Sequence, residues 1–226
     1  MKIFIDTADI GEVARLSRFG IIDGVTTNPA LIARMGLDFR SIVEEMCRIV
    51  DGPVSAEVVS ESGESMIREA EEIARFHPNV VVKLPATPEG FYALRQVSRL
   101  GIKTNFTIVY TANQALLAAK LGATYVSPFV GRLDANSTNG CDLVREIRQI
   151  YNNFGFKTQI LAASMRNAVY VKEAALAGAD VATIPPEVID AMMKNELTEL
   201  SLKGFLAEWD ALPSEKRSYF SMDTRS

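Results

Sequence analysis

The stretch NVVVKLP, residues 79–85, decides how this chain is read. Three consecutive valines describe a strand buried on both faces, the kind found in a parallel sheet. Lys83 follows at once, with Leu84 and Pro85 behind it. An unpaired ammonium in such a place costs several kcal/mol, a large share of the roughly 5–15 kcal/mol that holds a domain together. The lysine therefore either snorkels outward to water or lies inside for a reason.

Working outward, seven more runs rich in β-branched residues recur roughly every 20–35 residues. They are KIFID (2–6), GVTTN (24–28), VSAEV (54–58), IKTNF (102–106), TYVSP (124–128), TQILAAS (158–164) and VATIP (181–185). The segments between them carry helical periodicity. Between Ser60 and Phe76 the apolar residues Met66, Ile67, Ala70, Ile73 and Ala74 fall on one face. TANQALLAAKLG opens with Thr111 and Gln114, a capping box, and stops at Gly122. Asp9 with Glu12, and Thr87 before Pro88, mark two more helix starts. Residues 29–50 hold two helices broken near Gly36, another helix ends over Ile147–Phe154, and 186–209 hold two more.

Eight strands alternating with helices predict parallel pairing with helical crossovers, and the count of eight favours a closed ring. The expected fold is a single (β/α)8 (TIM) barrel in the α/β class, with an extra C-terminal helix. Residues 1–210 form the catalytic barrel domain in this reading, and 211–226 a polar tail that is either disordered or docked on a neighbouring subunit.

Composition removes several function classes. Of 226 residues 48% are hydrophobic, and the net charge of −4 is mixed along the chain, without a basic stripe for nucleic acid. No apolar run reaches the roughly 18 residues that span a bilayer. MKIFIDTADI meets Asp6 after three apolar residues, unlike a secretory signal. Cys47 and Cys141 stand far apart and read as reduced thiols, so a cytoplasmic location is expected. His77 is the one histidine and reads as a surface residue, which leaves little for a Ser-His-Asp triad or a histidine metal site. DANSTNG (134–140) lacks the glycine position and following glutamate of a calcium loop and reads as a polar loop. No metal and no cofactor are expected. Proton transfer falls to Asp, Glu, Lys, Tyr or water.

The strands close on polar residues: Asp6; Thr26, Thr27 and Asn28; Glu57; Lys83; Asn105 and Thr107; Ser127; Ser164. One such residue usually caps the next helix. Seven strands doing so, in a fold that gathers its C-terminal strand ends at one mouth, point to a site. Were Lys83 to face inward, desolvation would lower its pKa, and a neutral amine attacks carbonyls. Glu57 on the adjacent strand could move protons directly or through a water held by Thr107. Imine chemistry on a carbonyl substrate follows as a reaction class. Arg132 in FVGRLD, with Ser164 and Arg166 in AASMRN, either hold a phosphate near a helix start or serve as surface ion-pair partners.

At these residues the chain resembles a known family. FIDTAD, GVTTNPAL, VVVKLPAT, TNFTIVYTANQALLAAKLGATYVSPFVGRLD and AASMRN, in order, are similar to the transaldolases, above all the short-chain subfamily shared with fructose-6-phosphate aldolases. The resemblance implies a metal-free class I mechanism in which Lys83 forms a Schiff base with the ketose donor. Asp6 would take the proton from the donor hydroxyl as the carbon–carbon bond breaks. Glu57 and Thr107 would hold the catalytic water, and Asn28 and Asn105 would bind donor hydroxyls and orient the lysine. Ser127 would bind the dihydroxyacetone part, and Arg132, Ser164 and Arg166 the phosphate. Phosphorylated sugars, a place in the pentose phosphate pathway and a homo-oligomer, pentamer or decamer, are implied as well. Trp209, Tyr219 and Phe220 are interface anchors or pack on their own barrel.

Aldolase members of this subfamily carry glutamine in place of Glu57 and tyrosine in place of Phe129. The acidic and phenyl side chains look like the transaldolase pattern: transfer of dihydroxyacetone from sedoheptulose 7-phosphate or fructose 6-phosphate to an aldose phosphate. A tyrosine hydroxyl can assist protonation of the enamine, and a phenyl ring cannot. Fructose-6-phosphate aldolase is the nearest alternative. TTNPAL and SPFVGRLD argue against a deoxyribose-phosphate type, and a sugar-phosphate-binding barrel without catalysis would be expected to lack Lys83, Asp6 or Glu57.

Overall fold

The structure, a computed structural model, describes residues 1–136, 139–213, 216 and 217. Eight strands alternate with helices: β1 (Lys2–Asp6), α1 (Ile10–Ser17), β2 (Gly24–Thr26), α2 (Pro29–Met35), α3 (Phe39–Ile49), β3 (Val54–Glu57), α4 (Gly63–Ala74), β4 (Val80–Pro85), α5 (Pro88–Arg99), β5 (Thr104–Val109), α6 (Ala112–Lys120), β6 (Tyr125–Pro128), α7 (Val130–Asp134), α8 (Gly140–Phe154), β7 (Gln159–Ala162), α9 (Ala168–Leu176), β8 (Val181–Ile184), α10 (Pro186–Met192) and α11 (Glu196–Asp210). The strands close into a barrel in sequence order, and β8 pairs parallel with β1. The predicted (β/α)8 architecture, with a further C-terminal helix, is the observed one.

Local chemistry sets the helix starts. Asp9 accepts from the backbone of Gly11 and Glu12, and Thr87 caps α5 ahead of Pro88. Thr111 and Gln114 form the expected capping box on α6. Gly36, at φ 63°, ends α2 and separates it from α3. Within FVGRLD, Val130–Asp134 wind into α7. One detail differs from expectation: strand 5 runs over Thr104–Val109, beyond the 102–106 run read from the sequence. Residues 137 and 138 of the DANSTNG stretch, and Tyr219 and Phe220, lie outside the described residues.

Period-two alternation sends successive side chains to opposite faces of each strand, and two apolar clusters result. Ile5, Val25, Val54, Ala56, Val82, Leu84, Phe106, Val126, Ile160, Ala162, Ala182 and Ile184 belong to the large cluster shared with the surrounding helices. Their neighbours Phe4, Val81, Tyr125, Leu161, Ala163 and Val181 form a separate cluster inside the ring. Phe4 and Tyr125 meet edge to face, centroids 6.0 Å apart. Gly24 makes room for this packing: a Cβ there would lie 2.7 Å from the Phe4 ring. Val81 and Lys83 share parity, so the lysine enters the ring by the same rule that buries the valine.

The first compact unit is Met1–Ile189 and contains all eight strands. The second begins at Asp190. Its helix α11 is capped by Asn195 and exposes Leu197, Leu200, Phe205 and Leu206, with Trp209 39% exposed. Among the described residues no helix is long and apolar enough to cross a membrane.

Candidate active site

Parallel register brings Glu57, Lys83 and Asn105 side by side on β3, β4 and β5. The Lys83 ammonium is buried. It lies 3.1 Å from Glu57 Oε2 and donates to the Thr27 carbonyl at 2.9 Å. Charge pairing with the polar end of the adjacent strand and a backbone acceptor therefore compensate its burial.

Asp6 closes β1 in the same ring. Thr26 Oγ1 donates to its Oδ1 at 2.9 Å. Burial pushes the Asp6 carboxyl above its ordinary value; the Lys83 charge and the Thr26 hydroxyl oppose this, and Glu57 and Glu187 add to it.

Asn105 is held on both sides. Ser127 Oγ donates to its Oδ1 at 2.7 Å, and its Nδ2 donates to Ser55 Oγ at 3.3 Å. Beside it, the Thr107 hydroxyl is buried without a protein partner. An orphaned buried hydroxyl facing a polar cavity is suited to holding a water. Asn28 lines the cavity too, but its Oδ1 accepts from the Leu31 N–H at 3.0 Å and caps α2. For that atom the capping role is the observed one.

The two arginine-bearing stretches meet through Gly131. A Cβ at this position would come 2.1 Å from the Ser164 carbonyl and 3.2 Å from both Ser164 Oγ and Arg166 Cγ. Only glycine lets the start of α7 approach the loop after β7 so closely. Ser164 follows Ala162, the last residue of β7, by two positions, with φ at 63°. Arg132 and Ser164 line the cavity, whereas Arg166 is exposed and does not. The Arg132 guanidinium carbon lies 5.6 Å from the Phe129 ring centroid. Among the described residues neither Arg132 nor Arg166 has a carboxylate within ion-pair distance, in contrast to Arg148 on Asp180.

These groups surround one cavity of about 420 Å³, within the size range of small-molecule sites. Asp6, Asn28, Glu57, Lys83, Asn105, Thr107, Ser127, Phe129, Arg132 and Ser164 all line it. Three contributors escaped sequence reading: Ser55, Thr183 and Ile108. Ser55 and Thr183 lie inside β3 and β8, two residues from Glu57 and Val181, so parity with those neighbours was the available signal. Ile108 lines the cavity at φ 60°, where the β5–β6 register shifts. Among the described residues no group of three or more His, Cys, Asp or Glu side chains could hold a metal ion.

Comparison with known proteins agrees with this geometry. The family described as transaldolase/fructose-6-phosphate aldolase matches residues 3–224. A probable transaldolase of Caldicellulosiruptor saccharolyticus is 54% identical over 216 residues, covering 95% of this chain and 100% of that protein. One from Geotalea daltonii is 54% identical over 213 residues, with 94% and 100% covered, and one from Moorella thermoacetica is 54% identical over 215 residues, with 95% and 100% covered. A match spanning nearly the whole chain, on a barrel whose mouth joins a buried lysine to two carboxylates, has one consequence: the chain belongs to the transaldolase/fructose-6-phosphate aldolase family.

Proposed function

We propose that this enzyme is a transaldolase that moves a dihydroxyacetone unit from a ketose phosphate to an aldose phosphate through a Schiff base on Lys83. The observation that carries the reading is the Lys83 amine, buried inside the barrel 3.1 Å from Glu57. Glu57, directly or through a water on Thr107, takes the proton that frees the amine to attack the ketone. The carbinolamine then loses water and becomes an iminium ion. Asp6 removes the proton of the donor hydroxyl, the adjacent carbon–carbon bond breaks, and its electron pair flows into the iminium to give an enamine. The aldose leaves. An incoming aldehyde takes the enamine carbon, Asp6 returns its proton, and hydrolysis frees Lys83. A carboxyl held high by burial suits a group that must both accept and return a proton.

Asn105, fixed between Ser127 and Ser55, is placed to bind a donor hydroxyl, and Asn28 keeps its amide nitrogen for the same use. Arg132, Ser164 and Arg166 would hold the substrate phosphate, a role supported by two guanidiniums without carboxylate partners among the described residues. Phosphorylated pentose-pathway sugars, work in the cytoplasm, a barrel domain over 1–210 and a homo-oligomer, pentamer or decamer, belong to the same reading. The exposed apolar side chains of α11 support the assembly.

The test is borohydride reduction in the presence of fructose 6-phosphate, followed by peptide mass mapping. An adduct within residues 80–85 is expected, and one elsewhere overturns the assignment. Fructose-6-phosphate aldolase is the second reading. Phe129, whose ring meets Tyr110 edge to face, disfavours it because it offers no hydroxyl to the enamine. Phe129→Tyr is expected to raise release of free dihydroxyacetone without an acceptor by up to about a hundredfold, the low end for a positioned acid.

A further inference from the structure

Asp6 does not meet the barrel wall through one hydroxyl alone. Thr26 Oγ1, which donates to Asp6 Oδ1 at 2.9 Å, lies 2.5 Å from Thr183 Oγ1. Thr183 closes the chain of hydroxyls from β8, on the far side of β1 from β2. Both threonines are buried, at 2% and 3% exposure, and both line the reaction cavity. Either hydroxyl of the pair can be the donor.

We propose that Thr183 is a positioning residue for the reaction: acting through Thr26, its hydroxyl orients the hydrogen bond on Asp6 and reverses with the protonation state of that carboxyl. With Asp6 ionised, Thr183 donates to Thr26 and Thr26 donates to Asp6. Polarised by the second hydroxyl, Thr26 becomes a stronger donor than it would be alone. With Asp6 protonated, the acid donates to Thr26 and Thr26 donates to Thr183. Rotation of two hydroxyls thus follows one proton, and no buried group is left without a partner in the chain between them. A single threonine could satisfy only one of the two states with a fixed outer partner. The arrangement matters for a carboxyl that must change state twice per turnover, so the inference rests on the role proposed for Asp6.

The other charged groups acting on Asp6 are Lys83 from β4, Glu57 from β3 and Glu187 from the first turn of α10. None of them is altered by changing Thr183. Loss of its hydroxyl weakens the hydrogen bond that favours the ionised form, so the apparent pKa of Asp6 should rise.

Thr183→Val keeps the side-chain shape and removes the hydroxyl; Thr183→Ser keeps the hydroxyl. Two measurements are needed: the pH dependence of kcat for transfer from fructose 6-phosphate to erythrose 4-phosphate, and a carbon-13 carboxyl NMR titration, with the Asp6 signal assigned from its loss in Asp6→Asn. For Thr183→Val the expected result is an upward shift of about half a unit or more in both, a kcat about tenfold lower at neutral pH, and an unchanged KM. Thr183→Ser should return both toward the wild type. An unmoved Asp6 titration in folded Thr183→Val, or failure of Thr183→Ser to restore it, overturns the inference. Should Thr183→Val not fold, Thr183→Ala is read by the same criteria. If the Asp6 carboxyl shifts as expected but the wild type has no transfer activity, the hydroxyl chain stands as a physical device while its catalytic use, and the reading of Asp6, fall.

Discussion

Four strands each carry two inward side chains: Phe4 and Asp6 on β1, Val81 and Lys83 on β4, Tyr125 and Ser127 on β6, Val181 and Thr183 on β8. The first of each pair joins the dry cluster inside the ring; the second lines the cavity. Two residues separate the layers, roughly 7 Å along a strand. The backbone and parity are the same, and only the side chains change. The lower layer gains stability from apolar burial. The upper layer holds two carboxylates and an ammonium that hydrophobic residues could replace with little loss of stability, or with a gain. The difference teaches that the lower layer maintains the ring and the upper layer uses it.

The sharpest way to break this comparison is Lys83→Met. Transfer activity should fall below detection while the barrel persists by circular dichroism. Glu57, 12% exposed at its side chain, then loses its ion-pair partner, and denaturant unfolding should show a loss of about 3 kcal/mol. Adding Glu57→Gln should return most of it. A double variant no more stable than the single one would show that the pair contributes to folding in the way the lower layer does.

Phe4→Ala tests the other layer. It empties the ring opposite Tyr125 and should cost about 3–5 kcal/mol, with activity per folded molecule largely retained at low temperature.

Asp6→Asn should separate stability from activity through pH. The unfolded carboxyl titrates near 3.8 and the folded one above it. Between those values the native state holds more protons than the unfolded chain, so stability falls as pH rises through that window. Above it the cost of the buried charge is fully present. The variant should therefore melt higher than the wild type at pH 7, lose that advantage below pH 3.8, and lack transfer activity throughout. Equal melting temperatures at pH 7 would contradict the burial of that charge.

The smallest expected effect concerns Ile108. A β-branched residue at φ 60° carries roughly 1–2 kcal/mol of strain, which asparagine bears more easily. Ile108→Asn should stabilise the fold by about 1 kcal/mol in denaturant titration. A loss instead would mean that the side chain, 39% exposed at the mouth, contributes packing that outweighs the strain.

Much of this was legible without coordinates. Eight β-branched runs, helix caps at Asp9, Thr87 and Thr111, and the break at Gly36 are local signals, and each held because the physics behind it is local. Lys83 stood out because an ammonium among valines is costly. Ser55 and Thr183 did not, since serine and threonine inside strands satisfy ordinary strand patterning. Their use depends on what lies across the ring: Asn105 for one, Thr26 and Asp6 for the other.

The chain's own order of residues determined the alternation of strands and helices, the parity that sends Val81 and Lys83 to the same side, and the polar endings that mark one mouth. Those follow from side-chain period and capping, which act within a few residues. Tertiary structure alone decided that Glu57 faces Lys83 at 3.1 Å, that Gly131 admits Ser164 and Arg166 beside Arg132, and that Thr183 reaches Asp6 through Thr26. Each of these joins strands or loops far apart in sequence, and only closure of the ring sets their register and distance.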